Sequence, residues 1–90
     1  MTRETFAVII GRAEGNERDG FRVARYWDGR CFEDKALAVK HGFELCDSDD
    51  FNIGVIKDGR LASLWWMDKQ IDEDAVTLAE IGRECGLADA

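Results

Sequence analysis

The residues best placed to do chemistry are one acidic loop, three cysteines and a single histidine. Cys46-Asp47-Ser48-Asp49-Asp50 gathers carboxylates in one short loop, which is the donor type a hard divalent cation needs. The spacing does not complete a calcium loop. Asp47 and Asp49 match its first two ligands, but Phe51 stands at the third and Asn52 at the turn glycine. The loop therefore reads as a solvated connection into the next strand, and no metal is expected. His41 falls at the end of a predicted helix, where the dipole favours a cation, so it reads as a capping residue. Cys31, Cys46 and Cys85 are odd in number and widely spaced. They form neither a CxxC pattern nor a disulfide framework, and no nucleophile signature surrounds them. A pairing of Cys31 or Cys46 with His41 would depend on the fold alone. The thiols read as small apolar groups of a reducing compartment. The glycines are scattered and make no phosphate-binding loop. No catalytic residue and no cofactor is expected, and the chain reads as non-enzymatic.

Composition narrows the classes further. The chain has 90 residues, 46% of them hydrophobic and 34% charged, with no proline. That is enough apolar matter for one core and too little length for two. The net charge is −7, and it is unevenly spread. Residues 1–30 hold six arginines against five acids, whereas residues 31–90 hold six basic residues against fourteen acids. Nucleic-acid and anionic-membrane partners are disfavoured, because both draw affinity from basic patches. The longest early apolar run, Phe6 to Ile10, is too short for a membrane span or a signal-peptide core. A cytoplasmic location is expected.

The elements that must position these residues follow from periodicity. Thr5 to Ala13 alternates, with Phe6, Val8 and Ile10 on one side and Ala7, Ile9 and Gly11 on the other, so it reads as a strand with two apolar faces. Glu14 to Gly20 is a polar turn, and Phe21 to Trp27 returns. Asp58-Gly59 predicts a two-residue type I′ turn. The register then sets Lys57 opposite Arg60, Val55 opposite Ala62, Ile53 opposite Leu64 and Phe51 opposite Trp66. The other face carries Ile56 against Leu61, Gly54 against Ser63 and Asn52 against Trp65. Acids at Glu33-Asp34 and Asp72-Glu73-Asp74 open helices over about 33–41 and 72–85. Gly42 and Gly86 stand at the left-handed position after each helix, with Phe43 and Leu87 folding back.

Residues 5–43 and 51–87 repeat one pattern. Tyr26-Trp27 answers Trp65-Trp66, Phe32 answers Ile71, and Gly42-Phe43 answers Gly86-Leu87. The pattern predicts a single α+β domain over residues 1–90, a ββαββα pseudo-repeat with a four-stranded antiparallel sheet and both helices packed on one face. Repeat matching turns Val23, Arg25 and Trp27 inward on the second strand. The order of elements is similar to that of the αββαββα homing endonucleases, but the acidic, glycine-rich first helix and the basic saddle are missing, so nothing of that family's site carries over.

With both helices on one side, the other sheet face would expose Ile9, Tyr26, Ile56, Leu61 and Trp65. Soluble monomers seldom leave so large an apolar patch open. The expectation is a small acidic binding or regulatory module that acts as a homodimer through this face. A different protein, or an apolar ligand in a trough over Gly54 and Ser63, would also cover it. The alternative from another class is an acidic inhibitor or nucleic-acid mimic, presenting Asp47, Asp49, Asp50, Asp68, Asp72 and Glu73 to a basic partner.

Overall fold

The computed structural model describes residues 4–87. The elements run β1 (Glu4–Asn16), β2 (Gly20–Tyr26), α1 (Lys35–Cys46), β3 (Asn52–Lys57), β4 (Arg60–Trp66), β5 (Lys69–Ile71) and α2 (Ala75–Glu84). The strands form one antiparallel sheet in the order β2-β1-β3-β4-β5. The class is α+β, as the alternation predicts, with five strands in place of four. The added strand β5 follows a turn in which Met67 takes a φ of 53°. A methionine in that conformation carries no turn signal in the sequence.

β1 runs through Gly11 and Gly15 to Asn16, past the start of the turn expected over Glu14 to Gly20, because two different strands pair with its two parts. Its first part, Glu4 to Ile9, pairs with β3, and its second, Ile10 to Asn16, pairs with β2. At the usual strand rise β1 spans about 40 Å, which accounts for a long molecular axis of 48 Å. Beside the first part of β1, on the side away from β3, Phe32 exchanges two backbone hydrogen bonds of 2.8 Å with Phe6.

The two helices lie on opposite faces of the sheet, which corrects the one-sided arrangement predicted above. Cross-strand partners in an antiparallel sheet share a face. Val8, Ile53 and Trp65 form one such row, and Val8 and Ile53 are buried with Ala38 of α1 and with Phe51. Ile9, Leu61 and Leu64 are buried on the other side with Ile81 of α2. The physical reason is legible in β1. Ala7, Val8 and Ile9 are consecutive and each is 1% exposed. Consecutive strand residues point to opposite faces, so both faces need a cover.

A one-residue bulge sets the second half of this arrangement. Asp58 and Gly59 have φ of 53° and 77°, as a type I′ turn requires. Lys57 pairs with Arg60 and Ile56 with Leu61, as predicted. The register then shifts, so that Val55 pairs with Ser63, Gly54 with Leu64 and Ile53 with Trp65. Ala62 is the extra residue. The pairings of Val55 with Ala62 and Ile53 with Leu64 are thereby corrected. A shift of one residue exchanges faces, and it carries Leu64 to the α2 side and Trp65 to the α1 side.

The internal two-fold is not kept. Phe32 pairs with the first strand of its half, whereas its counterpart Ile71 pairs with the second, through Leu64. α1 also runs past the predicted stop at His41 to Cys46, with Gly42 inside the helix and Asp47 closing it at a φ of 57°. α2 ends as predicted. Gly86 has a φ of 85°, and the Leu87 amide donates to the Gly82 carbonyl at 2.8 Å. The acids act as caps. Asp34 accepts from the Ala36 amide at 3.1 Å and Asp74 from the Thr77 amide at 2.7 Å, satisfying donors the helices cannot. On β2 the expected inward set is also corrected, since Ala24 is buried while Val23 is exposed and Arg25 half-buried.

Candidate functional site

The backbone of α1 lies over β1 and β3 and stops short of β4, which it reaches only through side chains. The α1 side of the sheet is therefore left uncovered at one end. There, Phe6, Val55 and Trp65 floor an open trough of about 400 Å³, bordered by Glu4, Lys35, Lys57, Ser63 and Gln70. The bulge at Ala62 builds it, because only the shifted register puts Ser63 and Trp65 on this face beside Val55 and Ile53.

The Trp65 ring is held on two sides. Its Nε1 donates to Ser63 Oγ at 3.1 Å, and the Lys35 ammonium lies 4.1 Å from the centroid of a Trp65 ring. A cation over an indole face is attracted by the ring quadrupole. Lys35 opens α1, so the positive end of that helix adds to its charge. At the rim, Lys57 Nζ meets Glu4 Oε1 at 2.9 Å, with both side chains nearly half exposed. An ion pair so open to solvent adds little stability. It does keep Lys57 beside the trough. Among the described residues the lining contains no histidine or cysteine. Its chemistry is an apolar floor bordered by two ammonium groups, one carboxylate and the polar side chains of Ser63 and Gln70.

The residues expected to form an open interface fall elsewhere. Ile9, Ile56 and Leu61 are buried within the single chain, and the premise that their face lies open is corrected. The position over Gly54 is filled as well, since a Cβ there would stand 2.6 Å from Cδ1 of Ile9 and 2.7 Å from Cδ1 of Leu61. Tyr26 is exposed on β2. Its hydroxyl donates to Glu14, which pushes the phenol pKa up, and the Arg12 guanidinium lies 5.7 Å from its ring centroid.

The acids lie in three connections of the chain. Asp47, Asp49 and Asp50 lie in the loop after α1, tied to β4 by a 2.9 Å hydrogen bond from Trp66 Nε1 to the Asp49 carbonyl. Asp68 sits in the turn before β5, and Asp72 and Glu73 lie between β5 and α2. Among the described residues no three acidic, histidine or cysteine side chains are grouped to hold a metal.

His41 does not cap α1. It is buried within the helix, and its Nε2 lies 2.7 Å from Asp28 Oδ2, with its ring 5.1 Å from that of Phe32. Burial pushes the Asp28 carboxyl up, but hydrogen bonds from His41 and the Arg30 amide, with attraction to both residues, bring it below its ordinary value. The pair fastens the segment after β2 to α1. Cys31 is exposed, whereas Cys46 and Cys85 are half-buried, and all three are free thiols.

Lys35, Phe6, Val55 and Gln70 were not foreseen as site residues. Their types are ordinary for a helix start and for strands, and only the bulge and the reach of α1 bring them together. No helix among the described residues is long and apolar enough to cross a membrane. Compared with protein-family models, curated proteins and solved structures, the chain matches none of them.

Proposed function

We propose that this chain is a small, non-catalytic binding module whose ligand lies in the Trp65 trough. The observation that carries the reading is a half-buried indole fixed by Lys35 and Ser63 on a sheet surface that the helix leaves uncovered. A volume of about 400 Å³ is in the range of small-molecule sites. The floor of Phe6, Val55 and Trp65 favours a planar or elongated apolar body. Lys35 and Lys57, against the one carboxylate among the described lining residues, Glu4, favour a carboxylate or similar anion at its end. This positive balance stands out in a chain of net charge −7. The free thiols fit a reducing, cytoplasmic setting.

The test is thermal shift and tryptophan fluorescence with a series of aryl carboxylates, each beside its neutral primary amide. A binding module of this kind gives a saturable rise in Tm, because a ligand that binds the native state stabilises it. Carboxylates should bind better than amides, and Lys35→Gln should remove most of that preference, a factor of roughly five to ten. Trp65→Ala should abolish the response. A set of aryl carboxylates that never saturates, or that shifts Trp65→Ala as much as wild type, would sink the reading.

A further inference from the structure

The two edges of the sheet are finished differently. β5 is three residues long and carries Lys69, and shortness and lysine both discourage another strand from adding. β2 is seven residues long, contains neither proline nor lysine, and pairs regularly with β1 along its whole length. Among the described residues no other strand or loop hydrogen-bonds its outer side. The β2 side chains alternate. Phe21, Val23 and Arg25 stand opposite Gly15, Ala13 and Gly11 of β1. These small partners cannot cover them, and Phe21 is 69% and Val23 54% exposed. The chain thus presents an unblocked edge with uncovered apolar side chains beside it.

We propose that two copies of the chain pair antiparallel through β2, about a two-fold axis at Val23, and so join their sheets into one. A two-fold axis perpendicular to the sheet keeps every side chain on its own face and closes both open edges at once. Centred on Val23, the register sets Val23 against itself, Phe21 against Arg25 of the second copy, Arg22 against Ala24, and Gly20 against Tyr26. β2 carries two arginines and no acid, so two such edges repel unless the arginines interleave. The register centred on Arg22 opposes like charges directly, which is destabilising. The register centred on Ala24 moves Phe21 beyond the end of the partner strand. The Val23 register sets Arg25 of each copy opposite Phe21 of the other, twice per dimer, and Arg22 opposite Ala24, so that no two arginines face each other. The Trp65 trough lies on β1, β3 and β4 and stays open in this dimer, so the proposal stands apart from the ligand reading.

The experiment is light scattering on a size-exclusion column. A seam of one strand is at the small end of specific interfaces, so the wild-type chain should be dimeric at roughly 100 μM and dissociate on dilution. Val23→Glu and Val23→Lys each bring like charges together on the axis, and each should weaken association at least about tenfold. Val23 is half exposed in the single chain, so both variants should keep the native circular dichroism spectrum. An equimolar mixture of the two should recover a dimer, because position 23 then meets its opposite charge. A monomeric wild type overturns the proposal. So does a dimer that both variants leave intact, or a mixture that remains monomeric.

Discussion

The ring of Phe51 lies against Gly42 in the middle of α1. A Cβ built on Gly42 would stand 2.3 Å from Cε2, 2.5 Å from Cζ and 2.6 Å from Cδ2 of that ring. Phe51 is itself 3% exposed and meets Phe43 edge-on at 5.4 Å between centroids, so the ring has little room to withdraw. Replacing a mid-helix glycine with alanine normally gains about 1 kcal/mol. Here overpacking costs more, about 1–3 kcal/mol. Gly42→Ala should therefore destabilise the protein in urea unfolding. A variant more stable than wild type would show that the contact is looser than described.

Deleting Ala62 tests the bulge. Ala62 is exposed, so its side chain contributes little. Ala62 is the unpaired residue, so its loss would join Leu61 to Ser63 in a regular ladder and keep Leu64 and Trp65 on the faces they hold. The single deletion should therefore keep a cooperative thermal transition, whereas removing Ala62 and Ser63 together would exchange the faces of Leu64 and Trp65 and abolish it, a cost above about 4 kcal/mol. Ala62→Ser should unfold within about 0.5 kcal/mol of wild type, as surface changes do. A double deletion that melts like wild type, or a single deletion that loses its transition, would contradict the bulge at Ala62.

The Asp28 carboxyl links stability to pH. Its folded pKa lies below the ordinary value of 3.8, so the unfolded state takes up the proton first as pH falls. The stabilisation is fully present above 3.8 and is lost as the pH drops through the folded pKa. Asp28→Asn should be less stable than wild type at pH 6, and the gap should close in the acid range below that ordinary value. Urea melts of both proteins across the range measure it. A gap that stays constant with pH would mean that the charge of Asp28 contributes nothing.

The cysteines should differ in reactivity. Burial, with the Glu84 carboxylate adding to it, pushes the Cys85 thiol up to about 11, and the thiolate is the reacting form. Cys31 is exposed. Mass spectrometry of the native protein during mild alkylation near pH 8 should find Cys31 modified well before Cys85. Denaturation should erase the difference, and Cys85 reacting first would contradict the packing of α2.

Local signals were legible in the sequence because each is made by a few adjacent residues. The Asp58-Gly59 turn, the stop at Gly86 and the two apolar faces of β1 stand where their chemistry requires, and of the acids expected in the first helical turns Asp34 and Asp74 stand just before them as caps, with the helices beginning at Lys35 and Ala75. They were enough for the α+β class. Which face each helix covers was settled only in the folded chain, since it depends on register. One extra residue, Ala62, reverses the sides of Leu64 and Trp65, and nothing in its type marks it as a bulge. Gly42 reads as a helix stop until the Phe51 ring, nine positions on, is seen to need the space. The trough is likewise a product of tertiary structure. Phe6, Lys35, Val55 and Trp65 come from three strands and a helix, and a site assembled from separate elements leaves no spacing to read along the chain.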